Sequence, residues 1–122
     1  MEVRKMAVVC DFSVVLNGAF TVTPSQKLTA TFHTGGRRPD GNAMLVFNLR
    51  SFGEAHDVDV EVNDHVVGKL RHYYDEDPRN WHSQNVIFSG GVLRDGNNTL
   101  EITVPSGDLR LGDIVCFFNQ SA

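Results

Sequence analysis

Strict alternation of apolar and polar residues is the feature that most constrains how this chain can fold. In DVDVEV, residues 57–62, valines occupy every second position and acids occupy the positions between them. Because successive side chains of a β-strand point to opposite faces, this segment predicts a strand with one buried and one solvated face. LTATF at 28–32 and TLEITV at 99–104 follow the same rule. All three segments therefore indicate β-strands with one solvent-exposed face.

The rest of the chain also indicates strands, since no segment has the spacing of an amphipathic helix longer than about ten residues. Strands without helices to cover them must bury their apolar faces against each other. The sequence therefore predicts an all-β fold: one antiparallel two-sheet β-sandwich of jelly-roll topology, with eight or nine strands. Its 122 residues suffice for a single domain, 1–122, and are too few for two ordinary ones. Further strands are expected at 5–10, 12–16, 19–23, 43–50, 65–71, 84–89 and 111–118.

Turn residues separate the expected strands. Asn17-Gly18 and Asn63-Asp64 are pairs suited to the positive φ angles of a tight hairpin. Asp95-Gly96 precedes TLEITV, and PSGD at 105–108 follows it. We therefore expect hairpins at the first two pairs and turns on both sides of that strand.

Composition and charge exclude several classes of function. Apolar residues make up 41% of the chain and charged residues 21%, which is typical of a globular protein. The net charge is −4 and the 11 basic residues are scattered, which argues against a nucleic-acid surface. The apolar runs are too short to span a bilayer, and MEVRKMAVV lacks the apolar core of a signal peptide. We expect no membrane partner and a cytoplasmic protein, or an extracellular one if the chain is excised from a larger secreted protein.

The two cysteines lie at opposite ends of the chain, Cys10 in AVVCDF and Cys116 in DIVCFF. Both are flanked by residues typical of a core, and neither belongs to a CxxC spacing, so the pattern predicts free, buried thiols. A disulfide between them would require the first and last strands to be neighbours.

Two longer segments carry a family resemblance. VDVEVNDHVVGKL, followed by QNVIFSGGVLRDGNNTLEITV, resembles the galactose-binding-like β-sandwiches that serve as sugar-binding domains of glycosidases and as free carbohydrate-binding modules. The matching pieces are Val62-Asn63-Asp64, where the family has a V-N-G turn, Val67-Gly68, and the run from Leu93 through Ile102. The resemblance covers roughly 58–104 and implies the sandwich fold. It supplies no catalytic residue, and so it points to a binding module instead of an enzyme.

The stretch HYYDEDPRNWHSQN, residues 72–85, breaks the alternation. It holds both tyrosines and the only tryptophan, and it is interpreted as a loop between strands that end near Arg71 and begin near Gln84. Aromatic rings can stack on the apolar faces of sugar rings while polar side chains bond the hydroxyls. An alternative is that these aromatic residues pack over the end of the sandwich as a structural lid. The predicted ligand-binding residues of this loop are Tyr73, Tyr74, Asp75, Asp77, Arg79, Asn80, Trp81, His82 and Gln84.

The glycine-rich stretch HTGGRRPDGN, residues 33–42, is the second candidate. It lacks the Lys-Ser/Thr ending of a phosphate-binding loop. Arg37 and Arg38 could instead form a second wall of the ligand site, or the stretch could be a solvated connection with a turn at Pro39.

Metal and catalytic sites have weaker support in the sequence. Asp75, Glu76 and Asp77 could bind calcium through carboxylate oxygens, although the stretch lacks the glycine and distal glutamate of a helix–loop–helix calcium site. The five histidines include no His-x-His pair, and adjacent His82 and Ser83 would point to opposite sides of a strand. We therefore expect no cofactor and no catalytic residue, with calcium as the alternative.

The function that these residues indicate is non-catalytic, lectin-like binding of carbohydrate through the aromatic loop. A second interpretation is a protein–protein interaction or assembly module, such as a homo-oligomer, with the same loop as the interface. Composition does not separate the two, because Tyr, Trp and Arg are also enriched at interface hot spots. A small enzyme would require acids or histidines from distant strands to converge.

Overall fold

The computed structural model of the chain describes residues 8–50, 57–71 and 79–121, with the backbone alone for Val8. Nine strands and one 3-10 turn, Gly90–Val92, form within these residues. No helix in this part of the chain has the length and apolar character needed to cross a membrane. The strands are β1 (Val8–Leu16), β2 (Phe20–Val22), β3 (Leu28–His33), β4 (Asn42–Arg50), β5 (Val58–Val62), β6 (His65–Leu70), β7 (Trp81–Ser89), β8 (Asn97–Ile102) and β9 (Leu109–Ser121).

The strands pair into two antiparallel sheets. β1, β9, β4 and β7 follow each other across the larger sheet, and the short β2 joins it by pairing with β9. The smaller sheet has the order β3-β8-β5-β6. This arrangement confirms the predicted antiparallel two-sheet sandwich of eight or nine strands. The strands expected at 5–10 and 12–16 are one strand, β1, in the described part of the chain.

The core lies between the two sheets and follows from the alternation. Val58, Val60 and Val62 of β5 are at most 1% exposed, whereas the acids between them point away from the core. From the larger sheet, Phe47 and Leu49 of β4 are fully buried as well. Burial of one such side chain contributes about 1.5–3 kcal/mol, so the contact between the two inner faces stabilises the sandwich.

The β5–β6 hairpin is fixed by a buried polar network. Asn63 and Asp64 have φ angles of 50° and 67°, which confirms the predicted two-residue turn. The side chain of Asn63 turns inward, where Nδ2 donates to Oδ1 of Asn98 at 2.8 Å and Oδ1 accepts the backbone N–H of Thr99 at 3.0 Å. Asn98 in turn donates to the hydroxyl of Thr34 at 2.7 Å. The two segments that carry the family resemblance thus meet at Asn63 and Asn98, which specify the fold.

The prediction of a hairpin at Asn17-Gly18 is wrong. β1 and β2, on either side of this pair, run in the same direction along β9 and both pair with it. Gly18 does have a positive φ, 109°, but the residue serves a kink between two segments of one sheet edge. Its backbone N–H donates to Oδ1 of Asp113 at 2.6 Å, which holds the kink against β9.

The two cysteines are free, as predicted, but only one of them is buried. β1 and β9 are neighbours, yet their register places Cys10 opposite Asn119 and Cys116 opposite Ser13. Cys116 is fully buried, and burial raises the pKa of its thiol to about 12. Cys10 is exposed on the edge strand β1, so its predicted burial is wrong.

Candidate ligand-binding site

Trp81 is the first residue of β7, and its side chain lies on the outer face of the larger sheet. The loop expected up to Gln84 therefore ends three residues earlier than predicted. Val86 and Phe88 mark the inner side of β7, since both are buried. The first inward positions, His82 and Gln84, are polar, so the alternation that would reveal this part of the strand is hidden in the sequence.

The indole ring of Trp81 packs against the backbone of β9 at Gly112. A Cβ at Gly112 would lie 3.2 Å from Cζ3 of Trp81 and 3.3 Å from Cβ of Asn48. The register between β4 and β9 shifts beside Asn48, which places both Gly112 and Asp113 against this single residue. Because Gly112 has no side chain, the bulge leaves room for the ring.

Arg50, the last residue of β4, lies over the ring of Trp81. It pairs with Trp81 across β4 and β7, and its guanidinium carbon lies 5.6 Å from the ring centroid. At this distance a cation is attracted to the π-electrons of the ring. Trp81 nevertheless remains 46% exposed, so nearly half of its surface is available to a ligand.

A shallow, open hollow of about 480 Å³ lies beside the ring, and we call it the Trp81 pocket. Two of its polar side chains are held in place, because Oδ1 of Asn48 accepts from Ser83 at 2.8 Å and Oδ1 of Asp113 accepts from Gly18 at 2.6 Å. The amide nitrogen of Asn48 and the second carboxylate oxygen of Asp113 have no hydrogen-bond partner in the described part of the chain. The pocket therefore offers an apolar ring with a donor and an acceptor beside it. It is lined by Gly18, Ala19, Asn48, Trp81, Gly112 and Asp113.

The described residues of the predicted loop either precede β7 or lie on one of its two faces. Arg79 and Asn80 are exposed and directly precede Trp81. Oε1 and Nε2 of Gln84 bond the backbone N–H and C=O of Arg71, both at 2.7 Å, and Nε2 lies 3.2 Å from Nε2 of His82. Gln84 thus joins β7 to the end of β6, on the side away from the Trp81 pocket. The remaining predicted residues, Tyr73, Tyr74, Asp75 and Asp77, lie outside the described residues.

Arg37 and Arg38 lie at the opposite end of the larger sheet from Trp81. The backbone N–H of Arg38 donates to the carbonyl of Asn119 at 2.8 Å, near the end of β9 and the start of β4. Trp81 instead pairs with the last residue of β4. At about 3.3 Å per residue, the two ends of this strand are about 26 Å apart. The structure therefore does not bring the two arginines together with Trp81, and Arg38 pairs with Asp40 at 3.1 Å.

The described residues hold no cluster of three or more His, Cys, Asp or Glu side chains that could bind a metal ion. Acids on the outer face of the smaller sheet pair with lysines instead. Asp59 lies 3.6 Å from Lys69, and Glu101 lies 3.6 Å from Lys27. The residues of the calcium hypothesis, 75–77, fall outside the described part of the chain.

Comparison with known proteins supplies structural relatives only, since no protein-family model and no curated protein matches the chain. A β-porphyranase of glycoside hydrolase family 86 from the human gut bacterium Bacteroides plebeius superposes with a TM-score of 0.73 at 17% identity, over 100% of this chain and 22% of that one. A family 35 carbohydrate-binding module from an environmental isolate gives a TM-score of 0.62 at 14% identity, over 83% of this chain and 72% of the module. A family 35 module from Clostridium thermocellum gives a TM-score of 0.51 at 12% identity, over 80% of this chain and 96% of the module.

These likenesses confirm the two-sheet β-sandwich fold predicted from the sequence. The chain spans about a fifth of the glycoside hydrolases that it resembles: 22% of the β-porphyranase and 19% of a second family 86 protein, solved in complex with neoagarooctaose. Because the sequence identity to these proteins is only 12 to 17%, the comparison shows that this chain shares their fold and shows nothing further.

Proposed function

We propose that this chain is a non-catalytic carbohydrate-binding module and that Trp81 is the centre of its binding site. The half-exposed indole ring, held against Gly112 and beside Arg50, is the observation that carries the proposal. A sugar ring has an apolar C–H face and a rim of hydroxyls. An aromatic ring with the donor of Asn48 and the acceptor of Asp113 beside it is complementary to both.

The structural relatives support the proposed ligand class. Two of them are carbohydrate-binding modules by name, and one of the glycoside hydrolases was solved with neoagarooctaose. The part of each family 86 chain that this sandwich covers is about a fifth of the whole, which favours an accessory role over a catalytic one. We therefore favour polymeric glycans, galactans among them, as the first ligands to test.

The aromatic loop extends the proposed site along the chain. Arg79 and Asn80 lead directly into Trp81 and are exposed, so they are placed to contact a ligand that overlaps the ring. Tyr73, Tyr74, Asp75 and Asp77 are proposed to complete the rim. His82 and Gln84 support β7 from its inner side, and Arg37 and Arg38 are left out of the proposed site.

A glycan array of the multimerised protein tests the proposal. Binding at one site is expected to be weak, because a shallow polar ligand gains little after desolvation, and multimerisation compensates through avidity. We expect selective binding that Trp81→Ala lowers about 30-fold, equivalent to about 2 kcal/mol. Val66→Ala is the matched control, since Val66 is 56% exposed on the smaller sheet, and it should bind like wild type. An array without any bound glycan, or a folded Trp81→Ala variant that binds like wild type, would refute the proposal.

Two additional readouts separate the alternatives. Repeating the array in calcium and in EDTA tests the calcium hypothesis, which alone predicts that EDTA abolishes binding. Assembly through the aromatic loop predicts instead that Trp81→Ala lowers the solution mass. Because Trp81 is the only tryptophan of the chain, a glycan that contacts it should also change the intrinsic fluorescence.

A further inference from the structure

The outer face of the larger sheet continues from the Trp81 pocket along three neighbouring strands, β9, β4 and β7. Beyond the pocket each of these strands contributes two outward side chains, and the register places them in two rows across the sheet. We call this surface the outer track; it consists of Met44, Val46, Asn85, Ile87, Val115 and Phe117. Phe12 of β1 flanks the track, with its ring centroid 6.4 Å from that of Phe117. The track therefore has a pair of aromatic rings at the end away from Trp81.

Trp81 and Phe117 are too far apart for one small sugar to touch both. The ring of Trp81 lies against Gly112, and Gly112 and Phe117 are five residues apart in β9. At about 3.3 Å per residue, this separation is about 16 Å. Along β7, the distance from Trp81 to Ile87, which shares a row with Phe117, is about 20 Å by the same measure. A disaccharide is shorter than either distance, so a glycan that reaches both aromatic ends must be a longer chain.

The outer track combines apolar side chains with neutral hydrogen-bonding groups. Asn85 lies in the row nearer to Trp81 and is exposed, and Ser83 and Ser89 are exposed on the same side of β7. All six residues of the track are uncharged. The outer face of the smaller sheet instead carries acids such as Asp59 and Glu101. A neutral glycan chain matches the track, because its sugar rings present apolar C–H faces and hydroxyls and carry no charge.

The Trp81 pocket and the outer track are both open to solvent. The pocket is a shallow hollow, Trp81 is 46% exposed, and Ile87 in the far row is 60% exposed. An enclosed pocket fits the end of a chain, whereas an open strip lets a chain continue past it in both directions. We propose that the Trp81 pocket and the outer track together bind an uncharged, linear polysaccharide along its length, through internal sugar units. This inference rests on the proposed function, because the contact at Trp81 belongs to both.

The dependence of affinity on chain length tests this proposal. The probes are linear, uncharged galacto-oligosaccharides of two, four, six and eight units, with gluco-oligosaccharides of the same lengths as a second series. Isothermal titration should show that affinity rises about tenfold or more from the shortest to the longest member of the bound series, because each added unit gains contacts along the track. A series in which the disaccharide binds as tightly as the octasaccharide would overturn the proposal.

Phe117→Ala removes the aromatic ring at the far end of the track. We expect its affinity for the octasaccharide to fall about tenfold, to the value for the tetrasaccharide, while the disaccharide binds as it does to wild type. Damage to the fold would instead lower the affinity for all lengths together. Ile87→Ala, in the same row and 60% exposed, is the second variant and should also weaken only the longer chains. Val66→Ala, on the smaller sheet, is the control and should bind every length like wild type.

The outcomes separate this inference from the proposed function. Trp81→Ala should weaken binding of every length, whereas Phe117→Ala and Ile87→Ala should remove only the gain from longer chains. If both of these variants keep the full gain, the outer track does not contact the chain and the inference is wrong. Binding on the glycan array that depends on Trp81 but is limited to charged glycans or chain ends would also overturn the inference and leave the proposed function standing. If no glycan binds at all, both fail.

Discussion

The ring of Trp81 lies against Gly112, where a Cβ would stand only 3.2 Å from Cζ3 of the indole. We therefore expect Gly112→Ala to tilt the ring out of its place in the Trp81 pocket. Glycan affinity should fall about fivefold, equivalent to about 1 kcal/mol, with a shift in tryptophan fluorescence. Titration with the best array ligand measures the first effect and an emission spectrum the second. An unchanged affinity would mean that the position of the ring does not matter for binding.

The sequence predicted the smaller sheet better than the larger one. β3, β5 and β8, the three segments with clean alternation, all belong to the smaller sheet, whose outer face is polar. Alternation of apolar and polar residues is visible in the sequence only where one face of the sheet is solvent-exposed and polar. In the larger sheet, Met44 and Val46 point outward yet are apolar, so the strands could be located but their two faces could not be told apart.

The candidate site was predictable only in part. Trp81 stood out as the sole tryptophan, whereas its supports Asn48, Arg50 and Gly112 come from strands distant in sequence. The bulge that brings Gly112 beneath the ring depends on the register between β4 and β9, which no local pattern reveals. The glycine in RLGDIV, inside an apolar strand, was the one available signal, since such glycines often mark a bulge.

Asn98 should be among the polar residues most important for stability. It is 1% exposed, and its amide bonds the side chains of Asn63 and Thr34 and the backbone of Arg94. Asn98→Ala removes one hydrogen bond from each of Asn63, Thr34 and the backbone N–H of Arg94, and we expect it to lower the free energy of unfolding by about 3 kcal/mol. Urea denaturation measures this change.

The neighbouring Asn97 provides the control, because it is exposed at the start of the same strand. Asn97→Ala should change the free energy of unfolding by less than about 0.5 kcal/mol. Equal effects of the two substitutions would contradict the structural role of the buried network.

The hairpin turn offers a pair of substitutions with opposite expected signs. Asp64 has a φ of 67°, which glycine adopts without strain, so Asp64→Gly should stabilise the fold by about 0.5 kcal/mol. Asn63→Gly fits the backbone equally well but removes the hydrogen bonds to Asn98 and Thr99, and should destabilise by about 2 kcal/mol. Thermal unfolding of both variants provides the comparison, and a gain in stability from Asn63→Gly would contradict the network.

The two thiols should react very differently. Cys10 is exposed and Cys116 is fully buried, so a thiol reagent at pH 8 should modify one cysteine in the folded protein and both in denaturant. The variant Cys10→Ser should lose the fast reaction entirely. Mass spectrometry of the labelled protein identifies the site, and fast labelling of Cys116 would show that the core opens more readily than its packing implies.

Burial of Cys116 also makes stability depend on pH in the alkaline range. Its pKa is raised from 9.0 to about 12 in the folded chain, so the unfolded chain loses this proton first. The stabilising contribution is complete below pH 9 and is lost as pH rises toward 12, by about 1.4 kcal/mol per pH unit. Other groups titrate in this range too, and comparison with Cys116→Ala isolates the thiol, because that variant lacks it. Denaturation at pH 8.5 and pH 10.5 should show a steeper fall in wild type; parallel falls would mean that the buried thiol is not the cause.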